Sequence, residues 1–148
     1  MYMNKQLLKN IKNKTLKKCS INPMTGYNRD GYCRPYSFDN GSHLVCAKID
    51  EQFMKYTASK GNDLSGVVKP NDNWCICQDR YYEAYKNNKA PKIVLDSTYK
   101  FLKPHVKKAI LEDWMKNRMS KVKKSRVYNK NTIYKRNKTK KIKSITRI

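Results

Sequence analysis

Two cysteines one residue apart, in Cys75-Ile76-Cys77, carry the clearest chemical potential in this chain. On a β-strand, side chains two positions apart project from the same face, so both thiols would point together. Cys19, Cys33 and Cys46 bring the total to five. With Cys46 on a neighbouring strand and Cys33 on a covering loop, Cys33, Cys46, Cys75 and Cys77 could offer tetrahedral thiolate ligands to zinc, with His43 close by. Two other roles suit the same residues. Free cysteines pack among the most buried residue types, and a pair can act in redox chemistry or close a disulfide. An odd count fits a fully closed disulfide framework poorly.

The segment Arg29-Asp30-Gly31-Tyr32-Cys33-Arg34 gathers two guanidiniums, a carboxylate and a thiol within one turn-rich stretch. Arg29, Asp30, Arg34 and His43 form a candidate ligand loop. Arginine can grip an anionic ligand with two parallel hydrogen bonds, and neighbouring arginines favour a thiolate at Cys33. The competing role is a loop stapled over the core by an Arg–Asp pair. His43 could serve as general base toward Cys33 or Cys46, or be a hydrogen-bonded structural histidine at a strand start.

These residues need elements to hold them. Residues 22–40 are dense in turn signals, among them Asn22-Pro23, Asp30-Gly31 and Asn40-Gly41. The run from His43 to Ile49 predicts a strand. Asp50 predicts a helix cap, with the helix continuing to about Ser59 and Gly61 stopping it. Trp74–Cys77 predicts a second strand, Asp79–Asn88 a second helix and Pro91–Leu95 a third strand. Pro104 suits a helix start, and Val106, Ile110, Leu111, Trp114 and Met115 recur at helical spacing through 105–119. The expected class is α+β: a small mixed or parallel three-stranded sheet with flanking helices, a C-terminal helix and basic, largely extended termini. The connections are short for parallel crossovers. Leu7, Leu8, Ile11 and Leu16 among lysines allow a short basic helix over 4–18.

Charge divides the chain further. The net charge is +23, yet all acids fall between Asp30 and Asp113. Residues 1–18 hold six lysines and 116–148 hold fourteen Lys or Arg, with no Asp or Glu in either stretch. Composition drift toward Lys and Asn would scatter lysine evenly and leaves such acid-free runs unexplained. The expected organisation is a basic N-terminal arm (1–18), a small cysteine-containing α/β domain (19–104), an amphipathic helix (105–119) and a basic, disordered C-terminal arm (120–148). Such arms imply a polyanionic partner, DNA or RNA, or neighbouring proteins in a particle. Contacts are expected from Lys121, Lys123, Lys124, Arg126, Lys135, Arg136, Lys138, Lys140, Lys141 and Lys143, with Tyr128 and Tyr134 available for stacking. No apolar run is long enough for a transmembrane helix, and the Lys-rich start lacks the apolar region of a secretory signal. An intracellular protein is expected, in a virion or nucleus, with thiols reduced unless they bind metal or react.

Several strings, in order, resemble a family of small bacterial proteins known only as a domain of unknown function. They are Pro23-Met-Thr-Gly-Tyr-Asn-Arg-Asp-Gly-Tyr-Cys33-Arg34, Gly41-Ser-His-Leu-Val-Cys46-Ala, Lys60-Gly-Asn-Asp-Leu-Ser65, Lys69-Pro-Asn-Asp-Asn-Trp-Cys-Ile-Cys77 and Ala90-Pro-Lys-Ile-Val-Leu95. The resemblance covers about residues 19–99 and includes every cysteine. Two departures stand out. Only Gly66-Val67-Val68 separates Ser65 from Lys69, where the family has a longer stretch, and Tyr32 replaces the first of two tandem cysteines. The resemblance implies a domain and a cysteine set but no activity. Together these features favour a non-enzymatic basic-armed structural or binding protein, such as a virion component. The alternative is a small thiol- or zinc-dependent enzyme, or a metal-binding module, built on the cysteines.

Overall fold

The computed structural model describes residues 8–145, with side chains described as far as residue 140. Strand β1 (Val45–Lys48) lies at the centre of a three-stranded sheet, flanked by β2 (Asn73–Ile76) and β3 (Lys92–Ile93). Both pairings are antiparallel, with Cys46 opposite Cys75 and Ala47 opposite both Trp74 and Ile93. The class is α+β. The parallel or mixed sheet expected from the alternating strands and helices does not form, because the short connections suit antiparallel neighbours and not parallel crossovers.

Helix α1 (Glu51–Ser59) joins β1 to β2. Its start is fixed by Asp50, whose side chain accepts a hydrogen bond from the Phe53 amide at 2.7 Å. Gly61, at φ +84°, takes the left-handed conformation just past its end. Helix α2 (Gln78–Lys86) joins β2 to β3. Two-residue alternation sorts the sheet faces. Val45, Ala47, Trp74 and Ile76 pack with Phe53, Tyr81 and Val106 in the main core. Cys46 and Cys75 turn to the opposite face, where they meet Cys19 and Cys33.

Residues 8–18 belong to this core and not to a separate arm, and they are not helical. They form a turn bridged between Lys9 and Thr15, and a further bridge joins Asn10 to Tyr99. Asn10 is 1% exposed and uses all its polar capacity. Its Nδ2 donates to the Thr15 and Asp96 carbonyls, and its Oδ1 accepts from the Lys12 and Lys14 amides. Lysines on this turn stay at the surface, so Ile11 and Leu16 can be buried while the charges remain solvated. Leu7 and the rest of 1–7 lie outside the described residues.

Helix α3 runs from Pro104 to Ile145. Val106, Ala109 and Ile110 on its first turns complete the main core. Beyond Ile110 the helix forms a second compact unit. Residues 120–145 are helical and not extended. No Gly or Pro follows Pro104, and Lys and Arg are good helix formers. Local propensity therefore outweighs like-charge crowding. Ser120, Ser125, Thr132 and Thr139 return their hydroxyls to carbonyls three or four residues back. Among the described residues, no helix is long and apolar enough to cross a membrane.

Candidate functional site

The five cysteines divide four to one. Cys19 is bonded to Cys46 and Cys33 to Cys75. Cys77 is the free cysteine. This corrects the expected ligand set of Cys33, Cys46, Cys75 and Cys77: in the oxidised chain three of those sulfurs are not thiolates. The sulfurs of Cys19, Cys33 and Cys46 do lie within 4.8 Å of one another, a spacing compatible with shared metal ligation only if the bridges are reduced. The expected projection of Cys75 and Cys77 from one face also fails, because β2 ends at Ile76 and Cys77 occupies the cap position of α2.

Cys77 has a different partner. Its Sγ lies 3.4 Å from Nε2 of His43. On the other side of the ring, Nδ1 lies 2.8 Å from Oδ1 of Asp39. The second oxygen of Asp39 accepts from the His43 backbone amide at 2.8 Å, so both the ring and its backbone are held by one carboxylate. The Asp39 side chain is 1% exposed.

Local structure explains how Cys77 meets Asp39 and His43, more than thirty residues earlier in the chain. The segment 36–42 folds into consecutive turns, with the Asp39 amide donating to the Tyr36 carbonyl and the Ser42 amide to the Asp39 carbonyl. The Gln78 amide, at the start of α2, donates to the Ser42 carbonyl at 3.2 Å. That bond fastens the turn to the helix that begins at Cys77. Gly41 fits between them. A Cβ there would stand 2.6 Å from His43 Cε1 and 2.8 Å from Cys77 Sγ, closer than side chains tolerate.

The electrostatics follow from these contacts. The hydrogen bond to Cys77 is the largest influence on His43 and raises its pKa; burial opposes it, and Asp39 adds to the rise. The net result is about 9, so the ring is an imidazolium at neutral pH. A sulfur at the N-terminus of a helix also faces the positive end of the helix dipole. The first turn of α2 carries no side-chain cap, leaving its N–H groups without that competitor.

The candidate ligand loop separates into two parts. Asp30 and Arg34 staple it: Arg34 Nε and Nη2 lie 2.8 and 2.6 Å from Asp30 Oδ2, and the Tyr36 hydroxyl donates to the same oxygen. Burial alone would raise the Asp30 pKa, but the Tyr32 amide and the Arg34 guanidinium more than offset it and hold it below the ordinary value. Arg29 is placed elsewhere. Its guanidinium lies over the Trp74 ring at 5.0 Å and donates to the Gly26 carbonyl at 2.8 Å. Together with Tyr27, His43, Leu64, Val67 and Cys75, these residues line a cleft of about 330 Å³. The shortened 66–68 stretch still supplies a wall through Val67.

His43 thus partners Cys77, and not Cys33 or Cys46. Asp39 and Gly41 carry no earlier expectation, although Asp39-x-Gly41-x-His43 in a turn-rich segment is a signal that a carboxylate can reach a histidine four residues on. On α3, Tyr128 and Tyr134 are 72% and 70% exposed. Lys121, Lys123, Lys124, Arg126, Lys135, Arg136, Lys138 and Lys140 are also exposed. The side chains of Lys141 and Lys143 lie outside those described.

No curated protein matches this chain. A family does, and its reach agrees with the fold: it begins where the buried 8–18 turn begins and extends into the first turns of α3, wider on both sides than the 19–99 resemblance. Residues 9–115 match the family described as an uncharacterized protein conserved in bacteria (DUF2237), and the chain belongs to that family.

Proposed function

We propose that the protein is a thiol-dependent enzyme in which Cys77 is the nucleophile, His43 its proton partner and Asp39 the residue that orients His43. The observation that supports this most is the continuous contact from sulfur to imidazole to buried carboxylate at the one free cysteine. The same roles recur in unrelated cysteine hydrolases and transferases, which are recognised by geometry and not by chain order. In an acyl transfer, the Cys77 sulfur attacks the carbonyl carbon and displaces the leaving group, which takes its proton from His43. The acyl group then passes from sulfur to water or to another acceptor. With the Gln78 N–H spent on the Ser42 carbonyl, the N–H groups of Asp79 and Arg80 in the α2 first turn are the ones suited to stabilise the oxyanion.

An activated ester tests this. With p-nitrophenyl acetate, a burst of one nitrophenolate per chain is expected, with acetyl on Cys77 by mass spectrometry and loss of the burst in C77S and H43Q. Acetylation spread over lysines, with no burst, would contradict the proposal.

A second reading concerns α3 and is supported by its acid-free run of bases. There the helix would contact DNA or RNA through phosphate, with no base-specific element. If about half of the fourteen bases meet phosphate at once, log affinity should fall against log salt with a slope of about −6. Equal binding by a chain ending at Met119 would remove this reading, and salt-insensitive association with protein would favour neighbours in an assembly. The two disulfides favour an oxidising setting such as a particle over reducing cytosol.

A further inference from the structure

The cleft beside His43 has a charge pattern of its own. Among the residues that line it, Arg29 and His43 are the basic side chains, and none is a carboxylate. The His43 ring is already paired with the Asp39 carboxylate and in contact with Cys77. Arg29 is not matched in this way. Its described contacts are a carbonyl and an aromatic face, neither of which neutralises it. The carboxylate nearest in sequence, Asp30, is occupied by Arg34 and Tyr36.

Arg29 is also held in place. Its backbone lies at φ +53°, a conformation a non-glycine residue adopts only when its surroundings enforce it. Its amide donates to the Gly26 carbonyl at 3.0 Å, as its Nη1 does at 2.8 Å. Gly26 lies at φ +94°, where a Cβ would stand 2.6 Å from the Tyr32 carbonyl oxygen. Cys19 and Cys33, on either side of this loop, are both bonded to the sheet. One guanidinium is therefore pre-positioned over Trp74 with further N–H donors unspent.

Cys77 does not itself line the cleft; His43 does, and its Nε2 touches the Cys77 sulfur. We propose that this cleft takes a small substrate bearing one carboxylate, which Arg29 binds while the electrophilic carbon extends past His43 to Cys77. The inference rests on the nucleophile reading above and names its substrate class. One unmatched guanidinium suits a single negative charge, and a phosphate dianion would call for more donors than the cleft offers. Tyr27 and Trp74 supply flat walls for a short carbon chain. A cleft of about 330 Å³ admits a small acid and excludes a folded protein.

Two alkylating agents with the same leaving group separate the two claims. In each, the Cys77 sulfur attacks the methylene carbon, a C–S bond forms and iodide leaves. Iodoacetamide reads the nucleophile alone, and iodoacetate adds the carboxylate. At neutral pH the rate ratio of iodoacetate to iodoacetamide at Cys77 is expected to exceed that of free cysteine by about tenfold, the scale of one charge-assisted contact. Arg29→Gln should abolish this excess, lowering the iodoacetate rate about tenfold more than the iodoacetamide rate. Lys55→Gln, a charge change at an exposed position of α1, should leave both unchanged and so exclude the general field of a basic chain. In the wild type, propionate should protect Cys77 from iodoacetamide and propionamide should not, a measurement that needs no variant. A ratio equal to that of free cysteine, or one insensitive to Arg29→Gln, would overturn the substrate assignment with the nucleophile intact. A slow iodoacetamide reaction at Cys77 would overturn the nucleophile reading itself.

Discussion

Replacing Cys77 by Ser removes the largest influence on His43 while nearly preserving the shape of the side chain. The chain has two histidines, so proton NMR can follow the His43 ring directly through a titration. In the wild type His43 should titrate near 9. A rise from 6.5 to about 9 corresponds to about 3 kcal/mol of preference for the charged ring before solvent screening. The side chain is 36% exposed, and screening reduces the share that reaches folding stability to about 1–2 kcal/mol. The sign is set by the direction of the rise. The folded value lies above the unfolded one, so the stabilisation is fully present below about pH 6.5 and disappears as pH climbs toward about 9. In C77S the His43 midpoint should fall by at least about 1, a tenfold change in proton affinity. Asp39→Asn should lower it by less, because Asp39 is the smaller contributor. A wild-type midpoint near 6.5, or one that C77S leaves in place, would refute the sulfur–imidazole coupling.

Gly41→Ala should slow alkylation of Cys77 by about ten- to a hundredfold through displacement of His43 and Cys77, while thermal unfolding changes little. Asn10→Ala should cost about 2–3 kcal/mol in urea unfolding, because four backbone groups lose their partner inside the fold. Reduction of each disulfide should cost about 3–4 kcal/mol on the chain-entropy estimate for separations of 27 and 42 residues; unchanged unfolding in the presence of a strong reductant would contradict it. Elemental analysis of oxidised protein prepared without chelator should find far less than one zinc per chain, since three of the four expected ligands are bridged.

The parts of the fold legible from sequence were those written in local signals. Asp50 as a cap, Gly61 as a stop and the alternating apolar runs locate α1, β1 and β2 to within a residue or two. Strand direction was harder to read, because the same short runs serve parallel and antiparallel pairing and only connection length discriminates. The docking of the 8–18 turn was missed because lysine density suggests solvent, while what anchors it is one buried asparagine, Asn10, bonded both within the turn and to the carbonyl of Asp96, 86 positions away. The start of α3 at Pro104 and its course to Met119 were legible; its continuation beyond Met119 was not, because like-charge repulsion was weighted above the absence of any breaker. At the site, the cysteine count was informative but the pairing was not. Cys75 and Cys77 look equivalent in sequence, yet one lies within β2 and the other caps α2, and that boundary sends one sulfur to Cys33 and the other to His43.

The crossed attachment of the 19–33 loop has one more consequence. Cys46 and Cys75, its two anchors, sit opposite each other across β1 and β2, so both ends of the loop are bolted to one rung of the sheet. The nucleophile does not depend on those bolts, since Asp39, His43 and Cys77 are held by turns and by α2. Arg29 does. On the reading proposed here, oxidant level would therefore tune the protein's discrimination separately from its reactivity: with the bridges intact it selects acids, and with them opened the same sulfur remains competent but indifferent to the charge of what it meets.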